Sequence, residues 1–191
     1  MALGYVRPAR ADEADEIARI QLSTWRTAYR RIVPRRVLDD LDPGWLAGRW
    51  LEAVQAPPSR RHHVLIAVEQ TQSSYLAGFA AIGPADEEPA GPDVAAITEL
   101  LVEPRWGRRG HGSRLLAAAV DLWRSDGFST ALAWVYEQDA ASLAFLTGAG
   151  WEPDGARRAL DVDDLLVPQL RLHVSLEERA EPDGEPGPVE H

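Results

Sequence analysis

Apolar residues along the chain follow two rhythms, and the sharpest change between them lies between residues 95 and 123. Ala95 to Val102 is β-compatible and apolar except at Thr98 and Glu99, and Pro104 closes it because proline has no N–H to give a strand ladder. After Gly107-Arg108-Arg109-Gly110-His111-Gly112-Ser113 the spacing turns helical. Leu115, Leu116, Ala119, Leu122 and Trp123 share one face, and Ser113 is a candidate N-cap.

The remaining segments read in the same way. Residues 4–8 predict a short strand, and a helix follows from Ala11 or Asp12. That helix puts Ile17, Ile20, Gln21, Thr24 and Ala28 on one face, with Trp25, Tyr29 and Ile32 continuing an aromatic and apolar strip. Pro34 to Asp40 is a second helical segment. Asp42-Pro43 reads as N-cap and first position of a third, carrying Trp45, Leu46, Trp50, Leu51 and Val54 and stopped by Pro57 and Pro58. His63–Glu69 and Tyr75–Ile82 predict an antiparallel hairpin, and Gly83 to Pro92 a loop. Ala131–Tyr136 is a strand, Asp139–Thr147 a helix, and from Gly150-Trp151 the chain returns toward a last strand at Val167–Ser175. The order β-α-α-α-β-β-β-α-β-α-β-β predicts a mixed α/β fold, a single domain over residues 1–176.

Composition narrows the chemistry. A chain of 191 residues with 45% hydrophobic content can bury one sizeable core. Residues 177–191 hold six acids, one arginine and three prolines, so half of the net charge of -10 lies in a tail expected to be disordered. An acidic chain is a poor nucleic-acid binder. Every basic residue is arginine and there is no cysteine, which excludes lysine Schiff bases, disulfides and a cysteine acyl-intermediate. No histidine spacing makes a metal site: His62, His63 and His173 read as core or solvated strand residues, and His191 ends the tail. No apolar run reaches the length of a membrane span and the N-terminus lacks a signal-peptide core, so a cytoplasmic location is expected.

The glycine turn is the candidate functional element. A strand, a glycine-rich turn and a helix N-terminus gather unpaired N–H groups at one point, and Arg105, Arg108, Arg109 and Arg114 add positive charge, so a phosphorylated ligand is expected. The GxGxxG fingerprint fails because Leu115 stands where its third glycine belongs, and a Walker loop fails because the chain has no lysine.

The GxG turn after Val102-Glu103-Pro104 resembles the pyrophosphate loop of the GNAT superfamily of acyl-CoA-dependent N-acetyltransferases. The segment from Trp134 to Trp151, with Phe145-Leu146 before Ala149-Gly150-Trp151, resembles a second GNAT motif at the right separation. The resemblance implies a mixed central sheet of six to seven strands flanked by helices on both faces. It implies that N–H groups of Arg108 to Ser113 hold the pyrophosphate of acetyl-CoA, with Gly107, Arg114, Asp139 and Phe145 nearby. The backbone of Leu100 to Val102 would hold the pantetheine arm, through Leu101 and Val102 among others. Trp25 and Tyr29 would line an acceptor site for a small-molecule or peptide amine; no nucleic acid, membrane or metal is implied, and a homodimer is left open.

Three departures stand out. Gly107 occupies the usual Gln or Arg position, Asp139 that of the usual Asn, and Leu146 that of the tyrosine which in many members protonates the thiolate. Glu99 on the thioester-bearing strand is then the candidate base, with Glu137 a weaker one, and Tyr136 and Ser142 are candidate acids. A non-catalytic acyl-CoA sensor, or a protein acting through its acidic tail, are the competing readings.

Overall fold

The computed structural model describes residues 3–87 and 91–177, so all of the predicted tail but Glu177 lies outside the described residues. In order the elements are β1 (Leu3–Pro8), a 3-10 turn (Ala11–Glu13), α1 (Ala14–Ala28), α2 (Arg35–Asp39), α3 (Pro43–Gln55), β2 (His63–Gln70), β3 (Ser74–Pro84) and β4 (Val94–Val102). They continue with a second 3-10 turn (Pro104–Trp106), α4 (His111–Ser125), β5 (Thr130–Tyr136), α5 (Ala140–Gly148), β6 (Glu152–Val162) and β7 (Leu165–Ser175). The seven strands form one sheet in the order β1-β2-β3-β4-β5-β7-β6, antiparallel throughout except for the parallel pair β4–β5.

Local chemistry explains most boundaries. Asp42 caps α3 by accepting from the Trp45 N–H at 2.6 Å, with Pro43 at the first position where its missing N–H costs nothing. Asp139 does the same for α5, accepting from the Ser142 N–H at 3.1 Å. α4 starts three residues earlier than the Ser113 cap predicted: its N-cap is Gly110, whose φ of 81° is open to glycine at little cost. The β6–β7 hairpin turns on Asp163 and Asp164, both with positive φ, which fits a tight two-residue turn.

Helices cover both sheet faces. On one, α4 and α5 bury Leu115, Leu116, Ala119, Trp123 and Leu146 against Leu65, Ala67, Ala80, Ile82, Ala95, Ala131 and Leu172. On the other, Ile17 and Ile20 of α1 meet Ile66, Val68, Phe79 and Leu101, and α3 packs on α1 through Leu46, Ala47, Ala18 and Leu22. The predicted face of α1 holds at Ile17, Ile20, Gln21 and Thr24, but Ala28 is exposed. Trp45 and Leu51, expected in the core from their spacing on α3, also face outward.

Candidate active site

One extra residue in β4 shapes the site. Ala81 pairs with Glu99 while its neighbour Ile82 pairs with Ile97, so Thr98 bulges out of the ladder and its Oγ1 donates to the Ala81 carbonyl at 2.9 Å. The bulge reverses which side alternate residues face. Ala95 and Ile97 lie on the α4 side before it, Leu100 and Val102 lie there after it, and Leu101 is sent to the α1 side. Pairing between β4 and β5 stops at Ile97–Ala133, while β5 continues against β7. The strands therefore splay, leaving the edge of β4 from Glu99 to Val102 without a ladder partner on that side.

A groove opens on the α4 side of this splay, lined by Leu100, Val102, Gly107, Arg108, Gly110, His111, Gly112, Ser113, Ser142 and Phe145 among others. The N–H groups of residues 108–113 have no hydrogen-bond acceptor among the described residues, since the first α4 bond runs from the Arg114 N–H to the Gly110 carbonyl. Arg108 adopts a left-handed φ of 59°, a strained choice for arginine that keeps the turn tight. Gly112 leaves room for Phe145: a Cβ there would sit 3.3 Å from its ring. Six consecutive free amides on a helix N-terminus fit a diphosphate, and the slot along β4 fits an extended amide-bearing arm.

Side chains of the turn behave less as expected. Of the four arginines only Arg108 lines the groove. Arg109 turns away to Glu69 of β2 at 3.3 Å, Arg114 donates to the Arg109 carbonyl at 3.1 Å, and Arg105 pairs with Glu103 at 2.7 Å. His111, within the turn expected to hold the pyrophosphate, is buried with its Nε2 2.8 Å from Glu69, so only its N–H can serve a ligand; burial, against the pull of Glu69, lowers its pKa. The Leu101 side chain is likewise in the core against α1 and offers only backbone. The anion site is therefore built of main chain.

On the other side of the splay lies a cleft lined by Trp25, Tyr29, Glu99, Trp134, Tyr136, Asp139, Ser142, Leu146 and Gln169 among others, and it shares Leu100, Ser142 and Phe145 with the groove. Glu99 is its deepest carboxylate. Its partners are neutral and distant, Gln21 Nε2 at 3.4 Å and Trp25 Nε1 at 3.5 Å. Burial outweighs them and pushes its pKa up to about 7. Gln21 is itself oriented by the Trp50 indole, which donates to its Oε1 at 2.8 Å and turns its NH₂ toward Glu99. Tyr29 and Tyr136 meet edge to face with centroids 5.1 Å apart; burial, then the nearby Glu99 charge, raises both phenols.

The structure brings Trp25, Tyr29, Glu99, Tyr136 and Ser142 together, but not every candidate. Glu137 is held by Arg157 outside the cleft. Ser142 lines both cavities, with its Oγ committed to Asp139 Oδ2 at 2.6 Å. Asp139 is thereby occupied as a helix cap. Leu146 is buried in the core and carries no proton to give. His63 pairs with Asp126 and His62 with Ser59, both away from the cleft. Trp134, Gln169 and Trp50 were not singled out by sequence for the site, because each reads as an ordinary strand or helix residue until the fold folds them together. No helix among the described residues is long and apolar enough to cross a membrane, and these residues hold no cluster suited to a metal.

A family model described as the acetyltransferase (GNAT) family matches residues 16–151. The chain is 29% identical over 140 residues to the uncharacterized N-acetyltransferase YuaI of Bacillus subtilis (strain 168), covering 73% of this chain and 76% of that protein. Among solved structures it is similar to yncA from Salmonella typhimurium, determined with acetyl-CoA, at a TM-score of 0.68 and 21% identity over 95% of this chain and 98% of that one. It is similar also to PaiA N-acetyltransferase from Thermoplasma acidophilum, in complex with coenzyme A, at a TM-score of 0.65 and 14% identity over 91% and 99%.

Proposed function

Because the chain belongs to the acetyltransferase (GNAT) family, we propose that it moves an acetyl group from acetyl-CoA to a primary amine in a ternary complex. The observation that carries this reading is the junction of groove and cleft at Leu100, Ser142 and Phe145, beside Glu99. When bound, acetyl-CoA supplies the acyl group in activated form, as a thioester. The free amides of residues 108–113 hold its diphosphate, as the fit of an anion to a helix N-terminus requires. Unpaired groups on the edge of β4 hold the arm, and an N–H there, at Val102 or its neighbour, faces the thioester oxygen.

Glu99 takes the amine proton. With its pKa near 7 it is ionised in a useful fraction at neutral pH and basic enough to accept. The amine nitrogen gains the acyl carbon, its proton passes to Glu99, and the C–S bond breaks with its electron pair leaving on sulfur. Tyr136, which lines the same cleft as Glu99, is the acid candidate whose hydroxyl is uncommitted among the described residues, since that of Ser142 is bonded to Asp139. The absence of cysteine agrees with direct transfer.

Leu146 favours a second reading, a coenzyme-binding protein without turnover, because the usual thiolate acid is missing. Thiol release from acetyl-CoA across a panel of amines, run beside coenzyme A titration calorimetry, decides. Binding with amine-dependent release supports transfer; binding with none supports the second reading; absence of binding overturns both.

A further inference from the structure

We propose that the acceptor is an amine that also carries a carboxylate, an amino-acid-like molecule, and that Arg158 of β6 reads that carboxylate; the inference rests on the acetyl-transfer reading above. The Arg158 guanidinium stacks over the Trp134 indole, its Cζ 4.3 Å from the ring centroid. Its Nε donates to Gln169 Oε1 at 2.7 Å, and Trp134 and Gln169 both line the cleft. Trp134 is pinned in turn by donating its Nε1 to Glu87 Oε1 at 2.9 Å. With one face stacked and Nε committed, Nη1 and Nη2 are left as a parallel pair of donors, the geometry that matches a carboxylate.

Its neighbours are spent. Arg171, 5.6 Å from the same ring, is paired with two carboxylates, Glu87 and Asp154, and Arg157 is held by Glu137. Among the described residues, no carboxylate bonds the terminal nitrogens of Arg158; Asp86 and Glu87 stand within electrostatic reach and temper its charge without engaging it. Gln169, its oxygen taken by Arg158, keeps its NH₂ as a further donor.

Charge along the cleft is therefore bipolar. Tyr136 and Arg158 are the register partners of Gln169 on its two sides, and Tyr136 lines the same cleft as Glu99, so the two charges lie on either side of this aromatic and amide wall. An acceptor with an ammonium at Glu99 and a carboxylate at Arg158 meets both groups. A polyamine would instead press a second ammonium against the guanidinium, which like charges disfavour.

The test is thiol release from acetyl-CoA with amino acids, each paired with its own amide, and with spermidine. We expect kcat/KM for the acids to exceed that for the amides at least about tenfold, the lower end of what a charge-assisted hydrogen bond contributes, mainly through KM. Arg158→Gln should bring that ratio close to one, and Arg158→Lys should fall between. Arg158 is exposed, so both variants should fold, which circular dichroism checks. Should amides or spermidine react as fast as the acids, or should R158Q leave the ratio intact, the assignment is overturned while acetyl transfer stands. Should no amine release thiol although coenzyme A binds, acetyl transfer falls and this inference with it.

Discussion

The groove and the cleft sit on opposite sides of one splayed strand and are made in opposite ways. The groove is backbone: amides of residues 108–113, a left-handed Arg108, a left-handed Gly110 and the open edge of β4, with most nearby arginine side chains turned elsewhere. The cleft is side chains from α1, β4, β5, β7 and α5, brought together from Trp25 to Gln169. A main-chain site depends on glycine and turn geometry and tolerates change in side-chain identity. A side-chain site depends on what each position carries, and is free to change its ligand while the fold stays.

The sharpest way to break this contrast is at Glu99. In the proposed reaction Glu99→Gln should lower kcat about 10²–10⁴-fold, the range for a positioned general base, with coenzyme A affinity unchanged by titration calorimetry. In the unaltered protein kcat/KM should rise with pH through about 7, following ionisation of Glu99, and E99Q should abolish that limb. On the groove side Gly112→Val should do the reverse, weakening coenzyme A roughly 10–100-fold by driving a side chain into Phe145 and the amide cradle. A mild effect there, or a loss of coenzyme affinity in E99Q, would erase the distinction between the two sites.

Smaller effects sharpen it. Glu99 holds its proton up to about 7 when folded but releases it in the ordinary carboxylate range when unfolded, so the native state binds more protons in that window and stability falls as pH rises across it. The Tm should therefore drop from about pH 5 to about pH 8, and E99Q should flatten that drop. Gln21→Leu removes a donor to the ionised form, so the kcat/KM limb should move upward by less than about one pH unit. Smallest of all, Leu146→Tyr should change thiol release by less than about threefold, because a thiol of modest pKa can leave without an acid.

The same contrast explains what the sequence disclosed. Gly110 and Gly112 after a strand ending in Pro104 announce a turn and an anion site because glycine and proline act locally on backbone dihedrals. The mixed α/β order of elements followed from periodicity for the same reason, while the single sheet with helices on both faces was implied by the resemblance, and it is the fold observed. Glu99 could be suspected because a carboxylate in an apolar strand is conspicuous. Arg158, Trp134 and Gln169 could not, since their meeting depends on β6 and β7 pairing beyond a turn of Asp163 and Asp164, where neither asparagine nor glycine signals a hairpin. Four arginines beside the turn suggested a cationic cradle; Glu69 and Glu103, distant or unremarked in sequence, drew two of them away.

Thr98 has a further consequence. Because the bulge absorbs that one surplus residue, deleting Thr98 would join the pairs Ile82–Ile97 and Ala81–Glu99 without changing which compartment each later side chain of β4 supplies, whereas keeping Thr98 and ironing the bulge flat would slip the strand by one and send the Glu99 carboxylate toward the coenzyme channel and Leu100 toward the acceptor. Donor and acceptor chambers are thus wired to a common length of chain, and evolution can retune either by substitution but neither by a one-residue slip of that strand without inverting the other.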